Sequence, residues 1–421
     1  MDFGPLMNTF RTLRRTKIGR ILLFLFGSAA LLFIVLFTPL GNRLTAPVVE
    51  KALSSALSTP ISISDFALSY NRFHLKAHDN VGNILSTQGG FSLLTLRLYA
   101  HYRLECFHEK GMNPISAPFK TEGALSGGIA ALDIRGNADI FRGDILYKIE
   151  LRRFHLATAD LKLHNIAYEP LLHLLDYPSD TDTLISGAID LRGFDRRDVD
   201  GHIHLRSQTH RLTPTPILED DNESFDLRTL LADKFGRIKP FDVNITLDAS
   251  LAHAGILEQF VGLPLAGEGD LNATLSGDEK RLRLHARTNA AQSDTTLTVN
   301  IPDLEPSSVL FDLKHADMEQ AFAFFTLPAP ISGQGSAFGE FNTTEGKLTI
   351  AITKGKTIPK ILFTKYQITQ PLIRFNSVVS ANINEKGVRY RASFKSDLSR
   401  MDIDNTTTHD YMLRELLNAL R

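Results

Sequence analysis

The chain has 421 residues, of which 43% are apolar, and its 46 lysines and arginines nearly balance 47 aspartates and glutamates. The apolar content excludes a disordered polymer, and the net charge of -1 excludes a global field that would attract nucleic acid. A single cysteine, Cys106, excludes an intramolecular disulfide and a Cys-x-x-Cys metal or redox site. The fold must therefore be held together by packing and hydrogen bonding.

An uncharged run at 21–40 is long enough to cross the hydrocarbon core of a bilayer, about 30 Å thick, as one helix. Residues 1–20 before it form a basic arm, whose topology-setting cations are Arg11, Arg14, Arg15, Lys17 and Arg20. Because such an arm stays in the cytoplasm, we expect the rest of the chain to lie across the membrane. A cleaved signal peptide is the alternative, but the run is long for one and no convincing cleavage site follows it.

After the anchor the sequence predicts a short amphipathic helix at 45–58, with Thr45 as its cap and Pro47 in its first turn. From 60 to 405 the apolar residues recur with period two, most clearly at 241–251, which predicts strands with one apolar and one polar face. Such strands favour antiparallel pairing. The predicted fold class is mainly β: one transmembrane helix, then a long, curved, mostly antiparallel sheet that forms a groove, with a few short helices.

A glycine motif recurs along this region. Pro264–Gly269 (PLAGEG) matches Pro330–Gly335 (PISGQG), looser copies precede them, and the four copies are marked by Gly127, Gly187, Gly267 and Gly333. Short apolar segments at 170–175, 255–261 and 318–325, which we predict to be helical, precede three of the four copies. The uneven spacing indicates a quasi-repetitive, growing sheet rather than a strict solenoid.

The last segment, 409–421, regains helical spacing and predicts an amphipathic helix. Its apolar stripe consists of Met412, Leu413, Leu416, Leu417 and Leu420. Such a helix would cap the open edge of the sheet, or it would contact a partner or a membrane surface.

The sequence contains no motif for nucleophilic, metal-dependent or nucleotide chemistry, so we expect neither an enzyme nor a cofactor or metal site. His202 and His204 would share one face of a strand, and a solvated face explains them without a metal. The apolar face of the sheet remains as the candidate site, because such a face must be covered. The candidate lining residues are Phe241, Val243, Ile245, Leu247, Leu282, Leu284, Leu297, Val299, Ile301, Leu348, Ile350 and Ile352.

The order of anchor, short helix and the segment Leu57–Asn83 (LSTPISISDFALSYNRFHLKAHDNVGN) resembles the start of AsmA-like proteins, a group that includes the TamB-type proteins. The recurring PLAGEG or PISGQG unit also resembles the internal repeat of that family. The resemblance implies a bacterial inner-membrane protein with its bulk in the periplasm. It also implies a curved sheet whose apolar groove moves phospholipid toward the outer membrane, as in bridge-like lipid-transfer proteins.

Two functions follow as expectations. The first is a non-enzymatic protein that binds or guides phospholipid in an apolar groove and supports outer-membrane lipid homeostasis. Its partners would be phospholipid, the inner membrane and, through its C-terminal end, outer-membrane or envelope proteins; nucleic acid is not expected. The second is a structural or assembly factor for envelope proteins, with a closed β core and no passage for lipid. A hydrolase would need catalytic residues that the sequence does not contain.

Overall fold

The computed structural model describes residues 37–57, 59–92, 95–107, 117–128, 130–153, 155–173, 181–194, 198–212, 242–257, 265–278, 280–367, 369, 371–385 and 387–408. Twenty strands belong to one open, mainly antiparallel sheet, and strands account for 67% of the structure. The mainly β, largely antiparallel fold class with few helices is therefore confirmed.

The strands are long, typically of eight to ten residues and up to fifteen. The first six are β1 Ile61–Leu68, β2 Arg72–Asp79, β3 Ile84–Ser92, β4 Arg97–Cys106, β5 Phe119–Gly128 and β6 Ala131–Ile140. The next seven are β7 Gly143–Arg152, β8 His155–Ala167, β9 Thr181–Arg192, β10 Asp198–Leu212, β11 Asp242–Leu251, β12 Gly269–Asp278 and β13 Leu282–Thr288. The last seven are β14 Asp294–Ile301, β15 Ser308–Asp317, β16 Ile331–Asn342, β17 Glu345–Thr357, β18 Arg374–Asn384, β19 Gly387–Ser396 and β20 Arg400–Thr407.

The described residues include four α-helices: α1 Pro39–Ala56, which precedes the strands, and α2 Tyr168–His173, α3 Met318–Phe324 and α4 Pro359–Tyr366, which lie between them. The chain divides into two compact units, which we describe separately. Unit 1 comprises Met1–Ile140 and Leu151–Phe154, and unit 2 comprises Phe141–Glu150 and His155–Arg421.

In unit 1, α1 covers the outer edge of β1. The backbone N–H groups of Ile61, Ile63 and Leu68 donate to the side chains of Ser54 (3.0 Å), Glu50 (3.1 Å) and Asn42 (3.0 Å). These are edge donors, which would otherwise be free to pair with another chain. Leu53 of α1 packs against the buried pair Ile61 and Ala77. The helix therefore closes this edge with both polar and apolar contacts.

The predicted start of this helix at Thr45 is wrong, because α1 begins at Pro39. Thr38 is its cap, accepting a hydrogen bond from the Gly41 N–H, and Pro39 occupies the first turn. Pro47 lies inside the helix, and the Thr45 hydroxyl donates to the carbonyl of Gly41 instead of capping. Both Thr38-Pro39 and Thr45-Ala46-Pro47 fit the pattern of a helix start. The predicted end was correct to within two residues.

No helix in the described part of the chain is both long and apolar enough to pass through a membrane. The predicted span at 21–40 lies outside the described residues except for 37–40, and the predicted C-terminal helix at 409–421 lies wholly outside them.

In unit 2, successive strands from β8 to β10 and from β11 to β20 pair in antiparallel fashion, whereas β10 and β11 are parallel. Strands β8, β10, β11, β13, β15, β17 and β19 therefore point to the same end. The connections that leave this end carry α2, the 3-10 helices Ala254–Leu257 and Ala290–Gln292, α3 and α4. We call this end the helix-bearing rim; the opposite rim has short turns and the 3-10 helix Pro302–Leu304.

A bulge precedes three of these helices. In β8, β15 and β17 the register shifts between Leu163 and Ile166, Leu313 and Ala316, and Ile352 and Gly355. Each shift contains one residue in the left-handed region: Asn165 (φ 50), His315 (φ 55) and Lys354 (φ 53). A bulge of this kind bends and twists its strand. In β8 and β15 the bulge and the glycine motif after the helix mark the same strand–helix–strand unit, whereas β17 has the bulge alone.

Candidate apolar binding face

The pairing register of unit 2 joins the apolar residues of β8–β20 into one face, because residues paired across neighbouring strands point to the same side. We define this apolar face by three neighbouring rows. The central row is Leu161, Ile189, Ile203, Leu247, Ala273, Ala286, Leu297, Phe311, Gly339, Leu348, Ala381, Tyr390 and Asn405. It crosses thirteen strands, which corresponds to about 58 Å along the sheet at 4.8 Å per strand.

The two flanking rows have the same character. One consists of Ala159, Leu191, Gly201, Ile245, Leu275, Leu284, Val299, Val309, Phe341, Gly346, Ile383, Val388 and Thr407. The other consists of Leu163, Gly187, Leu205, Ala249, Leu271, Thr288, Thr295, Leu313, Ala337, Ile350, Val379, Ala392 and Ile403. None of the three rows contains a charged residue.

Eleven of the twelve predicted lining residues lie on the apolar face, and the twelfth, Phe241, lies outside the described residues. Seven of them are in the three rows, and Val243, Leu282, Ile301 and Ile352 continue the same face beyond the rows. Their role as a lining remains a prediction. The predicted residues come only from β11, β13, β14 and β17, besides Phe241, and those of the other nine strands were missed, although Val309, Phe311 and Leu313 of β15 show the same alternation.

The apolar face has a buried cluster near each rim and some solvent-accessible side chains between the rims. On the helix-bearing rim, Tyr168 and Ile185 form a buried cluster, and burial raises the pKa of Tyr168 to about 12. At the opposite rim, Leu304 packs with Leu282 and Ile301. Between them Leu297 and Leu348 are half-buried and Ile350 is 36% exposed. The middle of the face therefore presents apolar side chains that solvent reaches.

Phenylalanine rings that lie over glycines of neighbouring strands keep this face flat. Phe311 pairs with Gly339, Phe341 with Gly346 and Phe375 with Gly355. A Cβ atom on each glycine would meet the paired ring, at 2.1 Å for Gly339, 2.5 Å for Gly346 and 2.8 Å for Gly355. Each ring thus occupies the space that a side chain on the next strand would fill, an arrangement known to shield strand glycines.

The other face of unit 2 is mostly polar, although Leu310, Phe338 and Val378 are exposed on it. Arg389 and Arg391 both pair with Asp404, at 3.0 and 3.1 Å, and Arg287 pairs with Asp294 at 2.9 Å. The hydrogen bond from Arg389, followed by that from Arg391, lowers the pKa of Asp404. His202 and His204 are exposed on this same face of β10. Within the described ranges no three His, Cys, Asp or Glu side chains come together as a metal site would require.

The four motif glycines occupy different places. Gly127 (φ 144) ends β5 before a turn, Gly187 lies inside β9, Gly267 precedes β12, and Gly333 (φ 134) lies at the bulge between β16 and β17. A Cβ on Gly187 would come within 2.0 Å of the His204 carbonyl oxygen, so this position requires a close backbone approach. The basic residues of the N-terminal arm lie outside the described residues.

In unit 1, Cys106 ends β4 and is only 2% exposed. Burial, with a further contribution from the charge of Asp79, raises the pKa of its thiol to about 11. Such a thiol is a poor nucleophile, because the thiolate is the reactive form. Comparison of the whole chain with protein-family models, with curated proteins and with solved structures found no match.

Proposed function

We propose that the protein is a non-enzymatic, AsmA-like lipid-handling protein that binds or guides phospholipid along the apolar face of unit 2. In this proposal the basic arm and the apolar run at 21–40 anchor it in the inner membrane of a diderm bacterium, with its bulk in the periplasm. It would serve outer-membrane lipid homeostasis, and the curvature of the sheet into a groove belongs to the same proposal.

The observation that carries the proposal is the uncharged, partly open face formed by three rows across thirteen strands. Acyl chains need an apolar surface but no specific hydrogen-bond partner, and each chain is about 15 Å long, half of a bilayer core. A face about 58 Å wide with low relief gives room for several chains side by side. Burial of this surface by acyl chains would contribute about 25 cal/mol for each Å² removed from water.

The experiment places carboxylates on either face of one strand. In β17, Leu348 and Ile350 lie on the apolar face, whereas Thr349 and Ala351 lie on the polar face. The full chain is purified from membranes, and its copurifying phospholipid is extracted and quantified by phosphorus content and mass spectrometry. We expect Leu348→Asp/Ile350→Asp to lose most of the lipid, because charges would interrupt the apolar surface. The matched control, Thr349→Asp/Ala351→Asp, should retain it.

Circular dichroism and thermal unfolding of both double variants establish that they remain folded. Wild-type protein that is free of lipid when prepared from a lipid-rich membrane extract would overturn the proposal. Crosslinking that captures envelope proteins but no lipid would then favour the assembly-factor alternative. Equal lipid loss from the two double variants would show that the apolar face is not the binding surface.

A further inference from the structure

The polar face of unit 1 contains a channel between two cation-bearing strands. Arg72 and Lys76 of β2 and Arg97 and Arg103 of β4 point to this face, as the pairing register shows. Strand β3 lies between them and contributes only uncharged residues, among them Ser86, Gln88 and Gly90. We call this feature the basic channel; its two sides are two strand spacings apart, or about 10 Å.

The channel is concave at its Gly90 end. Two cavities of about 600 and 870 Å³ meet at Gly90 and Tyr99; Arg72 lines the first and Arg97 lines the second. Among the described residues, a Cβ on Gly90 would have only the Asn71 carbonyl oxygen within 4 Å, at 3.1 Å, so they leave the space above this glycine open. The floor of the channel therefore leaves room for a ligand between the two arginines.

The cations at this end are not held in ion pairs, although Asp65 lies opposite Lys76 and Asp133 lines the same cavity as Arg97. In the described part of the chain, Arg72, Lys76 and Arg97 form no ion pair, whereas Arg103 pairs with Glu105. Glu122 of β5 also lies opposite Arg103. Arg72 and Arg97 thus keep guanidinium groups that no ion pair occupies in the described residues, and they flank Tyr99, whose hydroxyl is hydrogen-bonded to Nε2 of His101.

We propose that the basic channel binds a phosphate group between Arg72 and Arg97. Guanidinium groups recognise phosphate oxygens with paired, charge-assisted hydrogen bonds, and two of them on opposite sides of an opening about 10 Å wide can hold one tetrahedral anion. A phosphate of this kind is found either in a lipid headgroup, as a diester, or as free phosphate. Within unit 1 the channel is on the side of the strands opposite to that of Leu75 and Ala100.

The test uses the full chain in non-ionic detergent and two probes without acyl chains, which cannot report on an apolar surface. Calorimetric titration with inorganic phosphate represents the free anion, and titration with glycerophosphoglycerol represents the diester head of a lipid. We expect at least one probe to bind, and the tighter one identifies the source. Arg72→Gln/Arg97→Gln should weaken that binding at least about tenfold through loss of charge-assisted hydrogen bonds.

The control removes the same charge elsewhere. Arg206 and Arg374 are exposed on the polar face of unit 2 and form no ion pair in the described part of the chain, so Arg206→Gln/Arg374→Gln should bind like the wild type. Thermal unfolding verifies that both double variants are folded. Absence of binding by both probes, or equal weakening in the two double variants, would overturn the proposal.

Discussion

Replacement of Asn83 by alanine should destabilise unit 1 through the buried turn between β2 and β3. Asn83 is 0% exposed, and its amide donates to Oδ2 of Asp79 at 2.9 Å. Its carbonyl oxygen accepts from the backbone N–H of Phe107, also at 2.9 Å, which ties the turn to the end of β4. Alanine removes both hydrogen bonds in a place that water does not reach.

The magnitude follows from these two bonds. Each buried polar group that loses its partner costs about 1–3 kcal/mol. Asn83→Ala should therefore lower the free energy of local unfolding around this turn and the end of β4, which we call opening, by about 3 kcal/mol. That difference corresponds to about a 100-fold increase in the population of the open state. The carboxylate of Asp79 keeps its bonds from the backbone N–H groups of Val81 and of residue 83, so the turn is weakened rather than abolished.

Cys106 provides the assay, because it is the single cysteine of the chain, is buried and adjoins Phe107. A thiol with a pKa of about 11 reacts with a disulfide reagent at pH 8 chiefly after opening, when the pKa returns toward about 8.5. We expect labelling of Asn83→Ala to be about 100-fold faster than that of the wild type. Asn342→Ala, which changes an exposed turn in unit 2, is the control. Labelling of Asn83→Ala within about threefold of the wild-type rate would refute the reasoning.

Two further predictions concern unit 2. Gly339→Ala should lower the free energy of unfolding in urea by about 1–3 kcal/mol, because its Cβ would meet the ring of Phe311 at 2.1 Å. The same substitution made in the Phe311→Ala variant should lower this free energy much less. An equal decrease in both backgrounds would contradict the contact. Arg389 and Arg391 lower the pKa of Asp404 in the folded protein. These ion pairs therefore stabilise the β19–β20 pairing above about pH 3.9, the pKa of an unfolded aspartate, and the stabilisation is lost as the pH falls through the lower pKa of the folded state. The amide hydrogen exchange rate of β20 in the wild type, divided by that in Asp404→Asn, should therefore rise below about pH 4. A ratio that does not change with pH would count against a stabilising role for these ion pairs.

The alternation of apolar residues was sufficient to predict which side of each strand is apolar. It works at Val243, Ile245 and Leu247 because side chains in a strand have a period of two, regardless of what lies beside the strand. It does not encode strand direction, so the parallel pairing of β10 with β11 had no sequence signal. The lining role of these residues stays a prediction.

Other features depend on contacts between distant residues. The closure of the β1 edge needs Asn42, Glu50 and Ser54 on one side of α1, and in the sequence they look like ordinary exposed polar residues. The start of α1 was misplaced because Thr38-Pro39 falls at the end of the apolar run, where a membrane span was the simpler interpretation. The bulges at Asn165 and His315 carry no glycine and so gave no local signal.

The parallel step between β10 and β11 has a consequence for how the chain folds. Antiparallel neighbours from β11 to β20 are joined by local connections, so each can form soon after its two strands are made. The β10–β11 pair instead needs closure of the segment 213–241, which costs chain entropy before any contact forms. We expect the strands up to β10 and those from β11 onward to fold as two separate groups during synthesis. The two groups would then join late, through the β10–β11 pair. Mutations in β10 or β11 should then slow the pairing of these two strands more than they slow the folding of either group of strands.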